Sequence, residues 1–370
     1  MKTKILVLLV FKTMFSYGQV QPPRLQTDMI GGVGVSYETW KAKNDKVTEL
    51  AVPLTFLYPF SPKLSLYAIT SPVISTLNAG ENYGLNGLSD VKWGGHYLAF
   101  GDRMLFTFGM NLPTGKHALE TQEYSVASIL ALPAFNFRVP SLGQGLDVQL
   151  GVSSAQEFGD WIVGYGATYL MKGGFKPFKG FDEDYNPGDE ITLTAGADRK
   201  TVLIGKEMQI RGDVLYTMYS NDTWGGANVF KSGNRILVQF MSTFKHKSLD
   251  LGVFVRERMK GKNKTGSGKV FETERRNSNA NQFEIQGWGY YPYSRTIRLK
   301  GVVDVKLYSD SDYSTGGATL FGLGGGGQLK VSPKLAFHGD LRIYFGSIKS
   351  GAEKVGTTGV KLFGGFEYTL

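Results

Sequence analysis

Apolar and polar residues alternate one for one along much of this chain, in runs that recur through its length. The last run shows the pattern most fully. Val360, Leu362, Gly364, Phe366, Tyr368 and Leu370 fall on one face, and Lys361, Phe363, Gly365 and Glu367 on the other. Residues 335–345 set Leu335, Phe337, Leu341, Ile343 and Phe345 against Ala336, His338, Asp340, Arg342 and Tyr344. Residues 297–307 and 249–258 repeat the scheme. Period-two alternation sends one set of side chains into an apolar medium and the other into a wet one, as in a half-buried β-strand. A soluble sandwich alternates in the same way, so length decides. These runs last about 10–14 residues, whereas globular strands average ~5–6 and a tilted strand needs ~9–11 to cross a bilayer.

Tight turns separate alternate runs: Ser61-Pro62-Lys63, Gly101-Asp102-Arg103, Gly205-Lys206, His246-Lys247 and Ser332-Pro333-Lys334. Longer polar connections follow each of them. The resulting strands lie near 28–40, 46–60, 63–76, 87–100, 103–113, 145–158, 160–174 and 189–204 in the first half. The second half adds 206–220, 232–245, 248–260, 280–292, 295–308, 317–331, 334–347 and 355–370. An even count brings both ends of the chain to the short-turn side, as in bacterial outer-membrane barrels. The expected fold is all-β: a single transmembrane antiparallel up-and-down β-barrel of sixteen strands, with short periplasmic turns and long extracellular loops. Fourteen strands follow if the weakly patterned start is lost, and eighteen if residues 114–144 hide a hairpin.

Residues 114–144 do not alternate. Leu119–Leu130 has the Ala, Leu and Glu content of a short helix, and Pro133 and Pro140 then break the chain. Irregular backbone is excluded from lipid but tolerated inside a barrel. The segment is therefore expected to fold into the lumen and narrow it, with Tyr124, Ile129, Leu132 and Phe135 at the constriction. A helix-bearing loop over the mouth is the alternative.

Composition adds an address. Lys2 and Lys4 precede the apolar run Ile5–Phe11, and Ser16-Tyr17-Gly18 offers small residues for a cut before Gln19, the pattern of a signal peptide. Residues 1–18 are read as that peptide and 19–370 as the barrel, in the cell outer membrane. Gly stands at 49 and aromatics at 13%, with no Cys, which excludes disulfides and thiolate sites and suits Gly-punctuated, aromatic-rich strands. No later run is long and apolar enough for a transmembrane helix.

Two stretches, GLSDVKWGGHYLAFGDRMLFTFGMNLPTGK at 87–116 and YNPGDEITLTAGADR at 185–199, resemble an outer-membrane transporter family labelled meta-pathway phenol-degradation-like. The Gly-Leu-x-Asp strand start, the tight turn and the Leu-Pro-Thr-Gly strand end follow in that family's order. The resemblance implies a barrel that moves small molecules, with hydrophobic or aromatic solutes suspected, and carries over no catalytic residue. Leu370 stands where barrels commonly end in Phe.

Charges on a lipid face cost ~2–4 kcal/mol near the midplane, so charged residues of the strands are expected to line the interior. The candidates are Lys92, Arg103, Arg211, Asp213, Arg235, Asp250, Arg256, Arg258, Glu284, Arg298, Lys300, Asp304, Asp340 and Arg342. Such a mixed, mildly basic lumen suits a channel or diffusion-type transporter. The alternative is a closed structural or adhesive barrel whose charges pair across strands. The basic tract Lys260–Lys269 reads as a solvated loop, and the acidic residues around Asn186-Pro187-Gly188 as a turn entering a strand. The glycines 322–327 read as room for a close strand or a neighbouring aromatic. His96, His117, His246 and His338 lack a Ser-containing motif beside them, so neither catalysis nor a cofactor or metal is expected. The expected partners are outer-membrane lipids, small solutes and the barrel-assembly machinery, without nucleic acid.

Overall fold

A computed structural model describes residues 28–370 apart from 102, 204–205, 268–269 and 351–352. The signal-peptide reading lies outside the described residues. The chain opens with β1 (Ile30–Ala42), β2 (Asp45–Ala51), β3 (Leu54–Ser61), β4 (Leu64–Thr70), β5 (Pro72–Ala79), β6 (Glu81–Leu88), β7 (Val91–Ala99) and β8 (Met104–Leu112). After α1 (Thr121–Leu130) come β9 (Asp147–Phe158), β10 (Trp161–Met171), β11 (Tyr185–Asn186), β12 (Glu190–Leu203) and β13 (Lys206–Tyr219). Next are β14 (Asp222–Trp224), β15 (Ala227–Lys231), β16 (Arg235–His246), β17 (Leu249–Lys260), β18 (Lys264–Ser267) and β19 (Val270–Thr273). The last five are β20 (Gln282–Pro292), β21 (Ile297–Tyr308), β22 (Ala318–Lys330), β23 (Leu335–Ser350) and β24 (Glu353–Thr369).

Three pairs of segments, β2–β3, β4–β5 and β6–β7, each run on as a single wall strand. With that joining, sixteen antiparallel wall strands stand among the described residues, each paired with its neighbour in sequence. The wall closes where β24 meets β1, in register from Ile30 opposite Thr369 to Ala42 opposite Thr357. The expected fold class holds. Residues 114–144 contain no strand, which removes the eighteen-strand count, and β1 through β3 are full wall members, which removes fourteen.

The interruptions have a local cause. Pro53 and Pro72 lack an N–H to give the ladder, and they lie near each other on adjacent strands. Single hydrogen bonds carry the wall across the gap: Gly34 N to Pro53 O (3.0 Å), Val52 N to Pro72 O (2.9 Å) and Ser89 N to Ser71 O (2.8 Å). A crease thus crosses three neighbouring strands. The reading of 87–100 as the fourth wall strand started it too late, because β5 and β6 turn tightly at Gly80 and keep pairing. Polar residues there, Asn78, Glu81 and Asn82, looked like a loop but are strand residues.

The long connections all leave one end of the barrel, although β1–β2 and β5–β6 turn tightly at that same end. Above it, β11, β14, β15, β18 and β19 form a small second sheet from three long connections. Residues 264–267 of the basic tract, expected as loop, are one strand of its β18–β19 hairpin, with side chains exposed.

Register and exposure divide the wall into two faces. Leu341, Ile343, Phe345, Leu362 and Phe366 alternate with Asp340, Arg342, Tyr344, Lys361 and Phe363 and point outward, and Phe337 packs on Phe366 on the same side. Phe60, Phe100, Phe158, Trp161, Tyr293 and Tyr368 form an exposed aromatic girdle at the short-turn end, where a bilayer interface would lie. An apolar outside on a closed barrel places the chain in an outer membrane. Among the described residues no helix is long and apolar enough to cross one; the strands do so.

Leu341 and Leu362 stand opposite each other mid-wall on the outer face. Leu341→Arg or Leu362→Arg is expected to destabilise the barrel by about 2–4 kcal/mol. Urea titration of folding into lipid vesicles measures it.

Candidate functional site: the barrel lumen

Large inward side chains need room, and glycine supplies it. A Cβ on Gly359 would fall 2.5 Å from the Trp40 ring, and one on Gly322 would fall 2.6 Å from the Tyr344 ring. These aromatic rings therefore lie flat over the next strand. Trp40 and Tyr344 meet with centroids 5.2 Å apart, and Phe135 from the 114–144 segment packs on Trp40 at 4.9 Å with its ring tilted by 31°.

Asp90, at the break between β6 and β7 where the β7–β8 ladder ends, ties both ends of that segment. Its carboxylate accepts from Gly115 N (2.8 Å), Gln144 N (2.8 Å) and Asn111 Nδ2 (2.9 Å), while its own N–H donates to Leu142 O (2.8 Å). The Thr114 hydroxyl accepts from Val91 N at 2.9 Å. The two halves of the 87–116 stretch thus fasten each other.

Helix α1 follows. Its first turn is secured by Glu123, which accepts from Glu120 N (3.0 Å) and pairs with Lys116. Val126 and Leu130 bury its inner side against Val73, Leu77 and Leu85. Past the helix the chain makes a turn over residues 132–136, closed by Phe135 N and Asn136 N on Leu132 O (3.2 and 3.3 Å), and crosses the interior. Its backbone is held by wall side chains: Tyr308 Oη donates to Pro133 O (3.4 Å), Lys306 Nζ to Ala134 O (3.0 Å) and Lys361 Nζ to Asn136 O. Val139 N donates to Glu49 Oε1 at 3.1 Å, and the Arg138 guanidinium lies 4.9 Å from the Phe363 ring centroid. Asn136 adopts a left-handed φ of 49°, which its short polar side chain tolerates. One short segment therefore touches β2, β21 and β24, and all of these contacts are on the wall's inner face.

Among the four residues named for the constriction, Phe135 is buried in the apolar cluster and Ile129 packs against it. Tyr124 and Leu132 are exposed instead, and Tyr124 leans on Phe178 of an outer loop at 5.3 Å. Sequence reasoning passed over Phe137, Val139 and Leu142, which are also buried there. The signal existed. Along the sequence Phe135, Phe137 and Val139 alternate with Asn136 and Arg138, apolar against polar.

The charged candidates sit mostly on the inner face, in pairs. Arg211 grips Asp213 through two hydrogen bonds (2.8 and 3.0 Å), both residues being buried, and Gln239 also donates to Asp213. Arg256 pairs with Glu284, which also accepts from Tyr308. Arg298 reaches Asp250 at 2.7 Å and lies over the Tyr290 ring at 4.1 Å. Lys300 and Arg342 share Asp340, each at 2.8 Å, and Asp304 accepts from Tyr344 at 2.8 Å. Lys92 is exposed on the face it shares with buried His96. Arg235 donates to the Thr217 hydroxyl (3.2 Å), and Arg258 is half-buried. Arg103 is misplaced in the list: it lies exposed in the β7–β8 turn, beyond the strand end. Lys306 and Lys361, which hold the segment, follow from the same inward alternation along β21 and β24, whereas Glu49 was not among the candidates.

The acidic residues near Asn186 act as loop ties. Asp189 accepts from Lys172 N (2.9 Å) and from Tyr169, and Glu190 pairs with Lys172. Among the described residues no group of three or more His, Asp or Glu could hold a metal ion.

Solved structures similar to this chain include the CymD monoaromatic hydrocarbon channel, at 11% identity over 93% of this chain and 89% of that one, with a TM-score of 0.45. Others are OccK11 of Pseudomonas aeruginosa (9%, 93% and 96%, 0.47) and an outer membrane channel from Pseudomonas putida F1 (10%, 95% and 100%, 0.41). No family model and no curated protein matches the chain. At such identities no residue's role is carried over, and the resemblance of residues 87–116 and 185–199 stands on those residues alone.

Two outcomes follow from the segment's anchoring. Lys306→Met or Lys361→Met leaves a buried carbonyl without its charged donor, a loss of about 1.5–3 kcal/mol. Hydrogen exchange at residues 131–140 should accelerate while the wall strands keep their protection. The second outcome depends on pH. Burial acts to raise the Glu123 carboxyl, but the Lys116 hydrogen bond, the Glu120 N–H and the Lys116 charge outweigh it and hold the group below its ordinary value of 4.5. A depressed folded value means the contribution is complete above pH 4.5 and is lost as pH falls through the folded value. Protection factors in α1, which compare exchange with its acid-slowed intrinsic rate, should therefore drop on acidification, and Glu123→Gln should flatten that dependence.

Proposed function

We propose that this chain is an outer-membrane channel for the diffusion of small molecules, in which residues 114–144 set the narrowest passage. The observation that carries the reading is the way wall side chains on β2, β21 and β24 hold the crossing backbone from Pro133 to Val139. A surface lid would have no use for inward lysines aimed at its carbonyls. Paired charges on the rest of the inner wall give a polar, nearly compensated lining, mildly basic where a cation lacks a partner, through which water and polar solutes pass without meeting a strong field. Hydrophobic or aromatic cargo is the finer reading, supported by the family resemblance and by the apolar cluster at the crossing. Outer-membrane lipids surround the barrel, and the barrel-assembly machinery inserts it.

The same charge pairing favours a second reading, a closed structural barrel. One experiment separates the two. Deleting residues 120–138 removes the crossing but no strand of the wall, whose ladder is continuous without it. In planar bilayers the intact protein should conduct, and the deletion should raise single-channel conductance. If the deletion conducts no better than the intact chain, the segment is no constriction; if neither conducts, the barrel is closed.

A further inference from the structure

Most inward cations are paired with a carboxylate. Arg211, Arg256, Arg298, Lys300, Arg342 and Lys361 each reach one within ion-pair distance. At the outer end of β16 and β17 that rule lapses. Arg235 and Lys260 stand directly opposite each other across the two strands, and Arg258 follows one inward position further down β17. Inward positions on a strand repeat every ~7 Å, so three cations share a small patch, close enough for each to act on its neighbours' charge. All three side chains are half-buried, and among the described residues none of them is in an ion pair.

Their contacts are neutral. Arg235 donates to the Thr217 hydroxyl, and the Lys260 ammonium lies 5.9 Å from the Tyr219 ring centroid. The nearby acids are already engaged. Asp222 accepts from Gly188 N (2.7 Å) and from Tyr185, Glu190 pairs with Lys172, and Glu284 is held by Arg256 and Tyr308. Like charges grouped on one wall repel, and a mobile anion removes that repulsion. Tyr219, on the inner face of β13 beside them, offers a ring to whatever the anion carries, while the buried Thr217 hydroxyl, shared with Thr192, holds Arg235 in place.

We propose that Arg235, Arg258 and Lys260 form an anion-binding station at the outer mouth of the lumen, taking the carboxylate or phosphate of a small solute before it passes the crossing segment. The station rests on the channel reading only for its role in transport; binding itself does not require conduction.

The test uses the full-length barrel, the variant Arg235→Gln/Arg258→Gln/Lys260→Gln, the single variant Arg258→Gln, and Arg276→Gln as a charge-removal control in an exposed loop. Because the three cations make no ion pair, the wall should assemble without them, which a heat-modifiable gel band verifies; the single variant serves if the triple does not fold. Calorimetric titration in detergent uses benzoate, inorganic phosphate and neutral benzyl alcohol. Bilayer recordings in a salt gradient give the reversal potential. Benzoate or phosphate should bind the intact barrel and benzyl alcohol should not. Binding should weaken about tenfold or more in the triple variant, with the reversal potential moving toward cations and Arg276→Gln unchanged. Preference for benzoate over phosphate identifies a carboxylate solute, and the reverse a phosphate. Anion binding that is absent, or equal in the intact and triple-variant barrels, overturns the station even if both conduct. Anion binding that is lost in the triple variant, in a barrel that never conducts, upholds the station and overturns the channel reading.

Discussion

No water is available inside a bilayer to satisfy a backbone amide, so a sheet that crosses it must have no free edge. The pairing of β24 with β1 meets that constraint, and the remaining architecture depends on it. Once the wall is closed, the register of one pair propagates to all the others, because side chains alternate strictly and a slip of one residue would turn a whole strand inside out. Closure therefore fixes that Leu362 meets lipid while Lys361 beside it meets Glu38 and the crossing backbone. The crease at Pro53 and Pro72 is tolerated because single hydrogen bonds carry the ladder past it.

Closing the wall creates a second problem, an interior that must hold large and charged side chains. Two devices meet it. Glycines on one strand let rings from the next lie flat, as with Gly359 under Trp40 and Gly322 under Tyr344. Charges are matched across strands or within one, as in Arg256–Glu284 and Arg211–Asp213. A buried pair of this kind adds little net stability but becomes costly when one partner is removed. The lumen is thus defined more by what each group is paired with than by its net charge. Where pairing is incomplete, at Arg235, Arg258 and Lys260, the interior has charge left for a solute.

The outer rim repeats one solution. Asp90 takes the N–H of Gly115, Asp222 that of Gly188, and the Asn263 side chain that of Gly233, at 2.7–2.8 Å. Each tie ends a ladder and directs the next connection. Backbone crowds these sites: a Cβ on Gly115 would lie 2.0 Å from Leu142 O. The motifs at 87–116 and 185–199 include two of these ties, so their physical content is structural.

Alternation and run length along the chain pointed by themselves to an up-and-down membrane barrel, because burial in lipid imposes a period of two on every strand, and the closed wall then decided for sixteen strands over fourteen or eighteen. Alternation also determined which side chains of a strand share a face, and so which of Leu341 and Arg342 meets lipid. It did not reveal the tight turn at Gly80, since a strand that rises above the membrane loses its apolar face and reads as loop. Nor did it reveal partners. That Arg256 pairs with Glu284, that Lys306 and Lys361 hold the backbone near Asn136, and that Arg258 reaches no carboxylate among the described residues are facts about residues brought together by wall register and by a chain crossing the interior. Lys306 and Ala134 are 172 positions apart. Pattern along a chain records the medium each residue faces; only the closed wall decides which residue it faces.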